Sequence, residues 1–255
     1  MLIKEFGDCR LPVIILLHGG GLSWWSWQKQ IEELQKKYYI VTPIIDGHGE
    51  DCKTEFTSIE KAAGKIIDYI KDKHYGRVYA ICGLSIGAQI VVEVLARERN
   101  ISEYAVVESA LLYPLKISVA LAVPAYNLFF GLIKKRWYAK LQAKALMVPE
   151  LLFENYYNDS IRMSKESLIN MTKSNGSYTV PEGMSNTAAR TLILVGEKEL
   201  PIMKKSAMYL NTIVEGSKLK IIEKSRHGEI SLSNPEKYLE ILQQFLRRNP
   251  DESDI

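Results

Sequence analysis

Short runs of consecutive apolar residues recur along the chain, separated by stretches whose apolar residues return three and four apart. Val13–Leu17, residues 39–45, residues 78–83, 104–107 and 191–195 have almost no polar face. That is the pattern of parallel strands covered by helices on both sides. Between them, Trp27, Ile31 and Leu34 predict a helix over 26–37. Ile59, Ala62, Ala63, Ile66, Ile67 and Ile70 predict another, running from a Ser58 cap to about Lys73. Further helices are expected over 86–99 and 202–210. A closing helix over 235–248 turns Tyr238, Leu239, Leu242, Phe245 and Leu246 inward. Residues 2–6 alternate weakly as a first strand, 219–222 form a last one, and 251–255 read as a polar, frayed tail. Strand and helix in alternation at these lengths predict an α/β fold built on a mostly parallel, doubly wound sheet.

The alternation stops at Glu108 and resumes at Thr191. The intervening chain reads as helices over 115–132, 137–147, 149–158 and 163–172, followed by a loop containing Asn175-Gly176 and Pro181-Glu182-Gly183. The expected organisation is a core of residues 1–110 and 187–255 with an all-helical insertion over 111–186. Residues 111–133 carry a single charge, Lys116, which raises a membrane-spanning alternative. Pro114, Pro124 and Gly131 interrupt that run, and it lies between two strands of one sheet, which a spanning helix would pull apart.

At 255 residues with 47% hydrophobic content, the chain can bury a substantial core. A formal charge of +3, from 33 basic and 30 acidic residues, gives no reason to expect a nucleic-acid partner. Cys9, Cys52 and Cys82 are odd in number and follow no metal spacing. They read as free thiols in a reducing compartment. The first ten residues show no apolar signal core, so the cytoplasm is the expected location.

Candidate chemistry centres on Gly83-Leu84-Ser85-Ile86-Gly87, where a strand runs into a helix. Glycines two positions either side of a serine suit a sharp turn that holds Ser85 out above the sheet edge, beside free helix N–H groups. Serine needs a base. His18 ends a strand beside glycines, His48 sits in a turn, and His74 stands in a charged, solvated string. His227 lies in a loop before the closing helix, able to swing over the sheet edge, and is the expected base. The carboxylate that fixes its tautomer is expected at Glu199, just past residues 191–195, in preference to Glu197. Glu108 is a third candidate. Oxyanion donors are expected at the Ile86 N–H and in His18-Gly19-Gly20-Gly21, with Gly20 preferred and Gly21 as its alternative. No Gly-Lys-Ser/Thr follows those glycines, which argues against a phosphate loop.

Taken in order, HGGG, DGHG, GLSIG, GEKE and RHG, each at a strand end, resemble the α/β-hydrolase fold in its serine-nucleophile order of Ser, acid, His. The resemblance spans about residues 13–246. It departs from the family in a glutamate at the acid position, where most relatives carry aspartate. The resemblance implies a catalytic Ser85, His227 and Glu199. It also makes the insertion a lid over the site, with Gly21, Trp25, Phe129 and Phe130 as substrate contacts. The expected activity is hydrolysis of a small-molecule carboxylic ester with an apolar portion, through an acyl-enzyme and without metal or organic cofactor. Thioesterase, amidase and C–C hydrolase chemistry use the same residues, and a ligand-sensing protein on this scaffold is the rival from another class. The stripe Lys134, Lys135, Arg136, Lys140, Lys144 reads first as a solvated face, with contact to an anionic membrane as the sharper alternative.

Overall fold

The computed structural model describes residues 1–247, the side chains of 116–118 and 122 excepted. The expected tail at 251–255 and the last residue of the expected closing helix lie outside them. Among the described residues, seven strands form one sheet: β1 (Leu2–Phe6), β2 (Val13–Leu17), β3 (Tyr39–Ile44), β4 (Val78–Leu84), β5 (Ser102–Glu108), β6 (Arg190–Gly196) and β7 (Lys218–Ile222). Their spatial order is β1-β3-β2-β4-β5-β6-β7. Only β1 runs antiparallel, pairing Leu2 with Ile44 and Phe6 with Ile40. The strands whose sequence is apolar throughout are the inner ones, buried on both faces. Strands β1 and β7 hold the edges and are half exposed, which accounts for the weaker patterning of their sequences.

Successive strand residues feed two core layers. Ile15, Leu17 and Ile81 face α2 (Ile59–His74), α3 (Ile86–Arg97) and α8 (Pro201–Ile213). Ile14, Leu16 and Ala80 face α1 (Gln28–Leu34) and α10 (Pro235–Arg247). The Ser58 hydroxyl accepts from the Lys61 N–H at 3.2 Å and caps α2. The helix expected over 26–37 is shorter and is preceded by a 3-10 turn, Trp24–Trp27. This turn swings Trp25 and Trp27 into the core. A short α9 (Glu229–Ser233) precedes α10.

Between β5 and β6 lie α4 (Lys116–Phe129), a 3-10 segment (Phe130–Lys134), α5 (Arg136–Ala145), α6 (Phe153–Ser160) and α7 (Lys165–Ser177). The loop expected at Asn175-Gly176 is instead the last turn of α7. Gly176 is there because α4 crosses it: a Cβ would run into the Val119 side chain, and the Leu115 N–H donates to the Gly176 carbonyl at 2.7 Å. Packing outweighs the helix-breaking tendency of that pair. The insertion is tied by side chains to the elements that flank the sheet. Ser167 and Ser174 accept from the Phe56 and Ile59 N–H groups at 3.1 and 2.9 Å, and Gln89 donates to the Leu111 carbonyl at 2.6 Å. No helix among the described residues is long and apolar enough to cross a membrane.

Backbone packs directly on backbone where α3 leaves β4. A Cβ on Gly83 would overlap the Gly87 carbonyl, and one on Gly87 would stand 2.5 Å from the carbonyl oxygens of both Leu17 and His18. Those obstacles are backbone and cannot rotate away. Gly87→Ala is therefore expected to lower stability by about 2–3 kcal/mol. Gly64→Ala, in the interior of α2 with no atom closer than 3.9 Å, is expected to raise it by up to about 1 kcal/mol. Urea titration of both variants checks the pair.

Candidate active site

The crossing at Gly83 and Gly87 forces Ser85 to φ 56° and ψ −116°, a conformation favourable only to glycine. Strain of this kind costs about 1–3 kcal/mol. It is held in place from both sides: the Ser85 N–H donates to the Glu108 carbonyl at 2.8 Å, and its own carbonyl accepts from Gln89 at 3.0 Å. The consequence is a hydroxyl turned out of the sheet, with Oγ 3.1 Å from His227 Nε2.

His227 Nδ1 lies 2.7 Å from Glu199 Oε2. The Glu199 side chain is 0% exposed and that of His227 40%. The second Glu199 oxygen, Oε1, accepts from the Ser109 hydroxyl and the Gly196 N–H, both at 2.7 Å. The longer glutamate arm fits because residues 196–199 close a turn, Glu199 N–H to Gly196 carbonyl at 3.1 Å, and the side chain curls back over the end of β6. Burial is the largest single influence on this carboxyl and works to raise its pKa. The His227 hydrogen bond and charge, the Gly196 N–H and the Ser109 hydroxyl outweigh it and hold the group below the usual glutamate value. An ionised Glu199 accepts a hydrogen bond from Nδ1–H, which leaves Nε2 as an acceptor facing the Ser85 hydroxyl.

The other histidines have structural posts. His18 Nε2 accepts from the Ile45 N–H at 3.1 Å, so its proton sits on Nδ1, 2.9 Å from the Gly19 carbonyl. Burial, aided by the neighbouring His48, pushes its pKa to about 3, so it stays neutral. His48 is also fully buried, with its pKa lowered by burial. His74, expected to be solvated, is half-buried and packs its ring against Tyr39 and Tyr69. Among the rival acids, Glu197 is exposed and accepts from the Lys224 N–H at 2.7 Å, which secures the turn after β7. Glu108 turns its side chain into the core, near Cys82, Ser231 and Tyr238, and neither carboxyl oxygen makes a well-formed hydrogen bond among the described residues.

A sequence model of the alpha/beta hydrolase fold matches residues 12–190. The chain belongs to the α/β-hydrolase fold family. The matched span includes Ser85 and ends before Glu199 and His227. A 3-oxoadipate enol-lactonase of Acinetobacter baylyi is 19% identical, over 94% of this chain and 91% of its own length. An (E)-2-((N-methylformamido)methylene)succinate hydrolase of the same organism is 20% identical, over 93% and 91%. Among solved structures, an esterase from Exiguobacterium antarcticum superposes with a TM-score of 0.80 at 18% identity, covering 96% of this chain and 95% of that one.

In this α/β hydrolase, a cavity of about 290 Å³ opens beside Gly20 and Gly21 and is closed by Leu146 just after α5, Tyr156 of α6 and Leu168 and Met171 of α7. A Cβ on Gly20 would touch Met171 Sδ at 3.0 Å and Ile86 Cγ2 at 3.7 Å, so the glycine loop and the start of α3 are neighbours under α7. Three expected substrate contacts lie elsewhere. Trp25 is buried and donates from Nε1 to Asp159 at 2.7 Å, fastening α6 to the core. Phe129 faces solvent, and Phe130 is outside the cavity lining, packed behind Met163 and Leu168, which do line it. Two residues escaped the sequence reading. Ser109, at φ 56°, orients Glu199, and Met171 roofs the glycine loop. The placement of Ser109 at the end of β5, beside β6, was the available signal.

Glu108 has a distinct electrostatic consequence. Burial, abetted by the Glu199 charge and only partly offset by Ser231, pushes its pKa up to about 8, so it is protonated in the fold at neutral pH. A folded value raised above the ordinary carboxylate range means stability that is full below about pH 4.5. That stability declines as pH rises toward 8. Glu108→Gln, which mimics the protonated acid, is expected to flatten this decline: Tm equal to the parent near the low end and higher than the parent at the high end. Calorimetry across that range checks it, and parallel Tm profiles for the two proteins would contradict it.

Proposed function

We propose that this protein is a serine hydrolase that cleaves a carboxylic ester through an acyl-enzyme, with Ser85 as nucleophile, His227 as general base and Glu199 as the acid that orients it. The observation that carries the reading is the continuous relay Ser85 Oγ, His227 Nε2, His227 Nδ1, Glu199 Oε2, with steps of 3.1 and 2.7 Å. As Ser85 Oγ attacks the carbonyl carbon, His227 Nε2 takes its proton and the ionised Glu199 stabilises the imidazolium. The negative charge on the carbonyl oxygen falls to the Ile86 N–H, free at the start of α3, and to the Gly20 N–H. His227 then protonates the leaving alkoxide. Water, activated by the same imidazole, releases the acid and restores Ser85.

The helices of the insertion act as a lid over this site, and the cavity beneath them takes the apolar part of the substrate. At about 290 Å³, it is roughly twice the size of a cavity that accepts benzene, which suits an acyl group on the order of eight carbons. An enol-lactonase and an esterase among the similar proteins support an ester carbonyl as the target. Free Cys9, Cys52 and Cys82 support a cytoplasmic setting.

Steady-state kinetics on a p-nitrophenyl ester series test the roles. Glu199→Gln is expected to lose on the order of 10⁴ in kcat, with Glu197→Gln and Glu108→Gln close to the parent; a deep loss at Glu108 with Glu199→Gln active would transfer the acid's role. In the same series, Met171→Ala is expected to move the kcat/KM optimum toward longer acyl chains. An unmoved optimum would separate Met171 from the substrate.

A further inference from the structure

Residues 109–149 contain Lys116, Lys134, Lys135, Arg136, Lys140 and Lys144 and no acidic residue, so this stretch carries +6 while the whole chain carries +3. The remainder of the protein is therefore net acidic. The positive stretch builds α4, the 3-10 segment and α5, whose outer faces are unusual. On α4 the exposed residues Leu121, Pro124, Ala125 and Leu128 fall at i, i+3, i+4 and i+7 and form an apolar stripe, with the exposed Asn127 beside it. Leu121 is 66% exposed and Leu128 75%. On α5, Ala139 and Ala143 are buried, while Trp137, Lys140, Leu141 and Lys144 form an exposed stripe of alternating aromatic, aliphatic and basic character. Lys134 and Lys135, both exposed, sit between the two helices.

A cleft of about 540 Å³ adjoins the apolar stripe, between the end of α4 and the start of α7. Leu128, Lys134, Arg162 and Lys165 line it, with Glu166 as its acidic member. Arg136 is committed elsewhere, paired with Glu154 and stacked over Phe153 and Tyr157 at 5.1 and 5.2 Å.

We propose that the outer face of α4 and α5 docks on an anionic lipid bilayer, with Leu121, Leu128 and Trp137 in the interface and Lys134, Lys135, Lys140 and Lys144 on the headgroups. An apolar helical stripe rimmed by lysines and carrying a tryptophan is what an interfacial helix requires. A soluble anion would leave the leucines unexplained, since a phosphate or carboxylate gains nothing from them. A second copy of this chain meeting through the same face would set four exposed lysines against the same four, because a two-fold contact brings each patch onto itself. The bilayer answers both the charge and the apolar stripe. The position of the face, on the helices that roof the cavity, would bring the cavity mouth close to amphiphilic substrates.

Co-sedimentation with vesicles tests this without reference to turnover. The parent protein is expected to pellet with phosphatidylcholine vesicles containing phosphatidylglycerol and to remain in solution with phosphatidylcholine alone. At roughly 0.5 M salt, where screening shortens to a few ångströms, binding should be lost. The triple variant K135E/K140E/K144E should bind at least about 100-fold more weakly, and Leu121→Asp with Leu128→Asp should also release the protein. All these positions are exposed, so Tm should stay at the parent value. Failure to pellet with the anionic vesicles, equal binding to neutral ones, or undiminished binding by the aspartate variant would each overturn the proposal. A lipid-free dimer in light scattering that Leu128→Asp dissolves would also overturn it and assign the face to a second copy.

Discussion

The close crossing of α3 over the ends of β2 and β4 is the constraint from which the rest follows. Because Gly87 rides directly on the Leu17 and His18 carbonyls and Gly83 on Gly87, the residue between strand and helix has no relaxed conformation available. Ser85 accepts a positive φ and is presented outward for that reason. The strain is sustained by a core of fully buried β-branched and leucine side chains in β2, β4 and α3. A hydroxyl on a relaxed turn would be free to rotate toward solvent or to cap its own helix. Here it makes no cap hydrogen bond and faces an imidazole instead.

Strand order then assembles the remaining groups. β4, β5, β6 and β7 are successive neighbours in space, and each delivers one component at its carboxyl end: Ser85, Ser109, Glu199 and His227. The polar relay is therefore a row across four adjacent strand ends, with Glu199 as its anchor. A buried carboxylate is costly unless it is well partnered. Glu199 has three donors, two of them supplied by strand ends that would be in place without any ligand. Glu108, one strand away and equally buried, lacks such partners and is neutral in consequence. Two glutamates of the same chemistry thus differ in charge through their surroundings alone.

Much of this was legible in the sequence, for identifiable reasons. Inner parallel strands must be apolar on both faces, so Val13–Leu17 and residues 191–195 announce themselves. The residues expected at the strand ends, Ser85 and Glu199, both lie within hydrogen-bond distance of His227 because parallel strands place their carboxyl ends on one edge. What escaped depends on tertiary contact. Nothing local distinguishes Ser109 from any serine after a strand, and its role arises from the neighbouring β6. Asn175-Gly176 looks like a turn until α4 crosses it. Trp25 looked like a substrate contact by proximity to the glycine loop, yet its N–H is taken by Asp159 in a helix distant in sequence. Phe129 and Phe130 shared an apolar run whose outward and inward sides could be told apart only once α4 and α7 were packed.

The helical insertion joins these features, since its inner side roofs the glycine loop and its outer side carries the basic and apolar stripes. The proposed function nonetheless rests on Ser85 beneath it. Reaction of the folded protein with an organophosphate such as diethyl p-nitrophenyl phosphate, followed by intact-mass measurement and peptide mapping, tests whether Ser85 is the nucleophile. A single diethylphosphoryl adduct is expected on the peptide containing Ser85, absent after Ser85→Ala. An adduct on any other residue, or an unmodified Ser85 in the folded protein, would contradict it.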